Sequence, residues 1–343
     1  MNTFVDKIFP YLFSEEPPLQ RFAFQALNET FLLHPHATLR IIEESEGRTS
    51  SIIGFLGEVA VDEAVLLELL KKVETTSGEA QQPYAALMKY ASTSLLVNYQ
   101  DNVRPYFTEE GFAHIIDLAK EKDTEKILQR IADNYERLED PDIPFEESFD
   151  YGKRLIVSLI ERGDYSTEQI QQAVSEVLAS EEALDYPEVF YAYAAGVVRD
   201  EQMIPQLVGI LSRQGEELAQ QEAMHALIKI GSDEVVDAVA PLVLEEGDFS
   251  VEVLTKIKTK RSRDVLYEKF IACEDPTLKT ILADSLCQQL AVEGIDDIIL
   301  FMEEGYDTGM LLLEESVYGC CVVCEVEHEK MSDWKVTIES TSM

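Results

Sequence analysis

Apolar residues along most of this chain recur with the spacing of an α-helix. Between Leu218 and Ile230, one set follows at steps of four, three, one and three, namely Ala219, Ala223, Ala226, Leu227 and Ile230. Such steps place side chains on one side of a helix, because an α-helix turns once every 3.6 residues. Gln220, Gln221 and Glu222 are expected on its polar side.

Short breaks separate stretches of this kind at 231–233, 246–248, 274–276 and 304–305. Each break combines a helix-stopping Gly or Pro with an acid, and most of these acids can cap the helix that follows. The pattern predicts an all-α chain of helices of about 10–18 residues joined by tight turns. The one segment with strand character is 334–338, in the C-terminal tail.

An Asp followed by apolar residues recurs at Asp200, Asp233, Asp264 and Asp296, with a nearly constant spacing. A further instance, Asp62, precedes Asp200 by close to four more periods. Each Asp is expected to begin the second helix of a pair, where its carboxylate accepts unpaired backbone N–H groups. A period of about 32 residues fits a two-helix unit that buries its apolar face by stacking on its neighbours.

The four Asp-led segments and the helices before them, spanning 186–304, resemble HEAT repeats of the armadillo-like superfamily. The resemblance implies an α-α superhelix, a HEAT-like solenoid of stacked antiparallel helix pairs whose second helices line a curved surface. The family tends to place Lys or Arg a few residues after the Asp, and here only Asp264 has such a residue, Lys269. Tetratricopeptide repeats share the helix-pair logic, but their recurring Trp, Leu-Gly and Tyr positions are not found.

Two prolines, Pro141 and Pro144, lie in an acidic segment where helices are expected to end. The resulting division has degenerate helical repeats at 1–140, HEAT-like repeats at 145–305, a capping helix at 306–330 and a tail at 331–343. The alternative is one continuous solenoid in which 140–144 is a longer loop.

The charge of the chain limits its partners. Acids outnumber bases 66 to 28 among 343 residues, for a formal net charge of −38. This field repels phosphate backbones and argues against nucleic-acid binding, whereas it attracts a basic protein or peptide. The alternative is that the negative surface only keeps the protein in solution.

Five cysteines in a long chain do not suggest a disulfide framework. Residues 1–13 lack the basic and apolar regions of a signal peptide, and four acids interrupt the apolar stretch 51–70. We therefore expect a cytoplasmic protein with no membrane span.

Cys321, Cys324 and His328 are spaced three and four residues apart, so on a continuous helix they would share a face and could hold zinc. A structural zinc site needs a fourth ligand, which the nearby sequence does not supply. The alternative is a buried core stripe at helical steps, formed by Leu313, Val317, Cys320 and Cys324. No other cofactor is expected.

One dense basic run stands out in this acidic chain, formed by Lys256, Lys258, Lys260, Arg261 and Arg263. It is a candidate site for a phosphate or an acidic partner segment. The alternative is a turn between helices whose charges offset neighbouring acids and contribute about 0–1 kcal/mol per exposed pair.

Aromatic residues supply the remaining candidates for partner binding. Tyr186 and Tyr193 lie at helical spacing beside Phe190, and tyrosine is favoured both in cores and at interfaces. Trp334, the one tryptophan, is either an anchor for a partner's pocket or part of the cap of the last repeat.

The sequence favours an interaction scaffold or adaptor that binds a protein or peptide, with exposed acids on the second helices. The alternative is an enzyme or regulatory factor with a pocket in the solenoid, including the metal site near the C-terminus. No phosphate-binding loop, nucleophile elbow or other catalytic motif is found.

Overall fold

The computed structural model is all-helical. It describes residues 3–45, 53–54, 56–164, 166–179, 186–213, 217–245 and 248–341. Across these ranges the chain forms α-helices and short 3-10 helices, with no β-strand and one isolated parallel bridge between Val61 and Ala91. The predicted all-α class is confirmed.

The chain forms two compact units. Unit 1 combines Met1–Leu32 with Ile230–Met343, and unit 2 is Leu33–Lys229. The boundary expected between positions 140 and 145 therefore falls inside unit 2, while the segment Met1–Leu32 belongs with the C-terminal third of the chain.

Among its described residues, unit 1 begins with two helices and continues with seven more near the C-terminus. They are α1 Thr3–Ile8, α2 Pro17–Leu27, α15 Asp233–Val239, α16 Asp248–Lys256, α17 Lys260–Ala272, α18 Pro276–Gln288, α19 Ile295–Glu304, α20 Leu313–Val323 and α21 Met331–Thr341. Three 3-10 helices add Phe9–Phe13, Ala240–Leu244 and Val292–Gly294.

Unit 2 contains the helices between these two parts. They are α3 Pro35–Glu44, α4 Glu63–Thr75, α5 Gln82–Leu87, α6 Thr93–Asn98, α7 Gln100–Val103, α8 Glu109–Lys120, α9 Thr124–Glu139, α10 Phe145–Arg162, α11 Thr167–Ala179, α12 Tyr186–Val198, α13 Ile204–Leu211 and α14 Glu217–Ile230, whose last residue is assigned to unit 1. Its 3-10 helices are Gly78–Ala80, Met88–Tyr90, Arg104–Tyr106 and Glu201–Met203.

Most of the recurrent aspartates act at helix starts, as predicted. The Asp62 carboxylate accepts the backbone N–H of Val65 at 3.0 Å, and Asp200 caps the 3-10 turn before α13. Asp233 and Asp296 lie in the first turns of α15 and α19, where a negative charge interacts favourably with the helix dipole.

For Asp264 the prediction is wrong. This residue lies in the interior of α17, which already begins at Lys260 because Thr259 is its N-cap. The Thr259 hydroxyl accepts the backbone N–H of Ser262 at 3.1 Å. A hydroxyl cap upstream therefore sets the start of this helix.

The Pro-containing segment is a loop between two packed helices. Residues 140–144 join α9 to α10, and these two helices pack against each other. The Asn134 side-chain amide donates to the Ser148 carbonyl at 3.0 Å across this pair. The two prolines thus end one helix and allow the next to fold back on it.

Helix α14 buries more than its predicted apolar stripe. Ala219, Ala223, Ala226 and Leu227 are buried as expected, but Glu222, assigned to the polar side, is only 5% exposed. Helix α12 packs closely on the stripe, where a β-carbon on Gly196 would lie 2.9 Å from the Cα of Ala226, and Lys153 of α10 pairs with Glu222. Close packing of this kind encloses positions that helical periodicity alone would leave in solvent.

In unit 1 the N-terminal helix α2 packs on α20. Arg21 donates two hydrogen bonds of 2.8 Å to the Glu315 carboxylate. Glu16 accepts hydrogen bonds from the Tyr318 hydroxyl at 3.0 Å and from the Lys335 ammonium at 2.9 Å. The start of the chain is therefore held to its end by side-chain contacts within one unit.

The C-terminal tail differs from expectation. The expected strand at 334–338 is wrong, because this segment lies within α21. Trp334 and Ile338 are four residues apart and both are buried, so they occupy one side of a helix. The expected capping region 306–330 contains the shorter helix α20.

Candidate functional site

Carboxylates cover the exposed sides of α15, α17 and α19, the helices that the Asp-led repeat predicts as second helices of their pairs. We call this surface of unit 1 the acidic face. Its eight exposed acids are Asp233, Glu234, Asp237, Asp264, Glu268, Asp296, Glu303 and Glu304. Two exposed basic side chains accompany them within these helices, Lys260 and Arg261.

Specific contacts hold these three helices side by side. Arg261 on α17 donates to the Asp237 carboxylate on α15 at 2.7 Å. The Tyr267 hydroxyl on α17 donates to Asp297 on α19 at 2.6 Å, and this bond raises the pKa of Tyr267. The acids of the three helices consequently form one continuous surface.

The two basic side chains of the acidic face are already paired. Lys260 lies 2.6 Å from Asp264 on the same helix, and Arg261 binds Asp237. Exposed pairs of this kind stabilise a fold by about 0–1 kcal/mol. Glu303 also pairs with Lys330, which lies outside these helices. The five other acids, Asp233, Glu234, Glu268, Asp296 and Glu304, remain as negative charge in addition to these pairs.

The predicted basic run does not form one surface patch. The Lys258 ammonium donates to the carbonyls of Thr255 and Gln288 and lies 4.7 Å from the Phe4 ring centroid. Its burial lowers the pKa of Lys258 well below the ordinary value. Lys256 is also buried and donates to the Gln25 carbonyl at 3.0 Å. Lys256 and Lys258 thus hydrogen-bond to backbone carbonyls within unit 1.

The other members of the run lie on α17 and belong to a different environment. Lys260 and Arg261 are exposed and paired with acids, and Arg263 is half-buried. The helix break between Lys256 and Lys260 turns the chain, so neighbouring charges in the sequence point to different surroundings.

Cys321, Cys324 and His328 do not share a helix face, so that expectation is wrong. Helix α20 ends at Val323, Cys324 is its C-cap, and His328 follows in the loop. The His328 ring stacks on Trp334, with 5.0 Å between ring centroids. In the part of the chain that the structure describes, no three or more His, Cys, Asp or Glu side chains are grouped to hold a metal ion.

The thiols near the end of α20 are shielded. Leu313, Val317 and Cys320 of the predicted core stripe are fully buried, whereas its fourth member, Cys324, is half-buried at the end of the helix. Cys321, outside that stripe, is also fully buried. Burial raises the pKa of Cys321 to about 11. This thiol therefore holds its proton more strongly than an exposed cysteine does.

The aromatic side chains that are candidates for partner binding pack within their own units. Trp334 and Tyr193 are 5% and 8% exposed. Tyr186 is half-buried, and its hydroxyl donates to the Leu138 carbonyl at 3.4 Å. These placements favour interior packing, the alternative to partner anchors.

Sequence reasoning missed a buried ionic cluster in unit 2, centred on Tyr193. The Lys153 and Lys229 ammonium groups lie 4.7 and 5.0 Å from the centroid of its ring. Lys153 pairs with Glu222 at 2.5 Å, and Lys229 pairs with Glu58 at 2.7 Å. Burial raises the pKa of Tyr193 well above its ordinary value, and both carboxylates act in the same direction.

Further charged groups from α10 adjoin this cluster. Arg154 donates to the carbonyls of Ala91 at 3.0 Å and Lys89 at 2.6 Å, and burial lowers the pKa of Arg154. Lys89 also pairs with Asp150 at 3.0 Å. One sequence signal was present: Lys153 and Arg154 stand between Gly152 and the apolar Leu155 and Ile156.

Within the described residues, no helix combines the length and apolar character needed to cross a membrane. No protein-family model matches this chain, and no curated protein matches its sequence. The resemblance to HEAT repeats therefore rests on the spacing of the Asp-led segments.

Proposed function

We propose that this all-helical protein is a HEAT-like interaction scaffold that binds a basic protein or peptide through the acidic face. One observation carries the proposal: eight exposed carboxylates on three adjacent helices are accompanied by two exposed basic side chains, both already paired. A basic partner would supply countercharge for the acids of this surface that those ion pairs leave unbalanced.

The field of the whole chain supports the same partner. A net charge of −38 accelerates the approach of a cationic partner and repels a phosphate backbone. Because the carboxylates are exposed, added salt screens their attraction over about 8–10 Å. Binding should therefore weaken steeply as salt is raised.

The test compares two variants that lose the same number of charges. The first carries Glu234→Gln, Glu268→Gln and Glu304→Gln, one substitution on each helix of the acidic face. The matched control carries Glu74→Gln, Glu136→Gln and Glu139→Gln on exposed positions of α4 and α9. The affinity of each full-length protein for a fluorescent oligolysine peptide is measured at low and at high salt.

The acidic-face variant should bind the peptide roughly three- to tenfold more weakly than the control at low salt. At high salt, the wild-type protein and the two variants should have similar affinities for the peptide. An equal loss of affinity in both variants would show that binding depends on net charge alone, and the acidic face would then have no special role.

The Tyr193 cluster favours a second candidate function, a pocket that binds a small anionic ligand. Two lysines and a tyrosine converge there, and perturbed titratable groups of this kind are concentrated at functional sites. Lys229 holds the carboxylate of Glu58, which lies outside regular helix and is 36% exposed. An anion that displaced Glu58 would meet the same ammonium.

Thermal unfolding with and without inorganic phosphate tests this second candidate. Phosphate should raise the unfolding temperature of the wild-type protein, because a ligand of the folded state stabilises it by mass action. The Lys229→Gln variant should lose that increase. No increase in either protein would exclude phosphate as the ligand of this cluster.

A further inference from the structure

Three aliphatic side chains stand exposed on, or directly after, the three helices of the acidic face. They are Leu244, in the 3-10 helix that follows α15, Ile271 in the last turn of α17, and Leu300 in α19. Their exposed fractions are 41%, 53% and 54%. Single exposed aliphatic residues are common on protein surfaces, so their arrangement carries the argument.

Exposed apolar side chains are concentrated in this part of the chain. Among the described residues, eight large hydrophobic side chains are markedly exposed, and five of them lie between positions 244 and 310. Val292 and Met310, on either side of α19, complete the five. Apolar side chains gathered within a charged surface mark interaction sites more often than scattered ones do.

Ile271 and Leu300 lie at matching levels of neighbouring helices. Their sequence neighbours Phe270 and Phe301 are in contact, with ring centroids 5.9 Å apart. The hydrogen bond between Tyr267 and Asp297 sets the same register one turn earlier. The two aliphatic side chains therefore belong to one row that crosses α17 and α19.

Acids accompany both aliphatic residues at helical spacing. On α17, Asp264 and Glu268 precede Ile271 by seven and three residues, and on α19, Asp296 and Glu304 flank Leu300 at four residues on each side. All these positions are exposed. Residues three, four and seven apart share one side of a helix, so each helix presents apolar and acidic groups together.

We propose that Ile271 and Leu300 are the apolar anchors of a docking surface for a basic amphipathic helix. The aliphatic stripe of such a helix would cover both side chains, while lysines and arginines beside the stripe would reach the surrounding carboxylates. This inference rests on the proposed function and adds the requirement for aliphatic side chains in the partner.

Charge selects this partner over two other occupants. A second copy of the chain would bring another acidic surface against this one, and like charges that face each other repel. An anionic membrane surface is disfavoured for the same reason. A basic amphipathic helix satisfies both the apolar and the acidic groups.

The test uses two synthetic peptides with equal numbers of lysines. One carries leucines along a single helical face, and the other has serines in their place. The full-length protein and the Ile271→Ala/Leu300→Ala variant are titrated with each peptide. The matched control is Leu67→Ala/Leu128→Ala, which removes two exposed leucines from α4 and α9 in unit 2.

The leucine peptide should bind the wild-type protein more tightly, and the Ile271/Leu300 variant should lose about tenfold in affinity for it. The affinity of the control variant for the leucine peptide should equal that of the wild-type protein. The affinity of the Ile271/Leu300 variant for the serine peptide should also equal the wild-type value. Ala supports helix formation, and the unfolding temperature of each variant verifies that it folds.

If both peptides bind the wild-type protein equally and the Ile271/Leu300 variant binds them with the same affinity, Ile271 and Leu300 are not apolar anchors. The proposal of a basic partner would still stand. If neither peptide binds at low salt, the proposed function itself fails. If the Leu67/Leu128 control loses as much affinity for the leucine peptide, exposed aliphatic side chains anywhere on the surface would have the same effect, and this inference would be overturned.

Discussion

Gly319 lies directly against the aromatic ring of Phe22. A β-carbon at this position of α20 would overlap the ring atoms of Phe22, which is 1% exposed on α2. The absence of a side chain at Gly319 thus lets the N-terminal helix pack closely on the C-terminal part of unit 1. Arg21 and Glu315 form an ion pair beside this contact.

Gly319→Ala should destabilise unit 1, because the added methyl group overpacks a filled site at a cost of about 1–3 kcal/mol. Urea unfolding followed by tryptophan fluorescence measures the effect. Trp334 is the one tryptophan and is buried in unit 1, so its emission reports on this unit.

A double variant controls for the intrinsic effect of alanine. Combining Gly319→Ala with Phe22→Leu provides room for the methyl group, so the two changes should cost less together than the sum of each alone. Strict additivity would mean that Phe22 is not what Gly319 accommodates.

The Asp284 carboxyl should make the stability of unit 1 depend on pH. Burial raises the pKa of Asp284, although hydrogen bonds from Ser316 at 2.5 Å and Gln288 at 2.7 Å act in the opposite direction. The folded state therefore favours the protonated acid. Its contribution to stability is full below the ordinary Asp pKa of about 3.9 and is lost as pH rises through the folded-state pKa.

Asp284→Asn removes this titration and retains a neutral polar side chain. We expect the variant to gain free energy of unfolding relative to wild type as pH rises from the acid range toward neutrality. Denaturant unfolding of both proteins across that range measures the difference. A difference that stays constant or falls with rising pH would contradict the assigned direction.

Lys153→Met should destabilise unit 2 strongly. It removes the ammonium that lies 2.5 Å from Glu222, and Glu222 is buried. Breaking a buried ion pair from one side costs about 3–5 kcal/mol, since the remaining carboxylate loses its countercharge. Far-UV circular dichroism during urea unfolding measures the loss.

The combined variant Lys153→Met/Glu222→Gln separates two explanations. If the loss arises from the stranded carboxylate, neutralising Glu222 should recover part of it. If the double variant is as unstable as Lys153→Met, the loss reflects the ring contacts that Lys153 makes with Phe149 and Tyr193.

The sequence by itself determined the all-helical class and most helix starts. Helical steps such as those from Ala219 to Leu227, and acids such as Asp62 and Asp200, act through neighbours within one turn. Where another capping residue lies a few positions upstream, as Thr259 does before Asp264, the local pattern misplaced the start of the helix.

Only the tertiary structure decided which charged and aromatic side chains are buried. Tyr193 and Lys229 are buried and converge with Glu58, which lies 171 residues before Lys229. The linear pattern gives no information on such pairs, because a side chain's burial depends on whichever distant helix packs over it. For the same reason, Cys321, Cys324 and His328 are close in sequence yet lie in different surroundings.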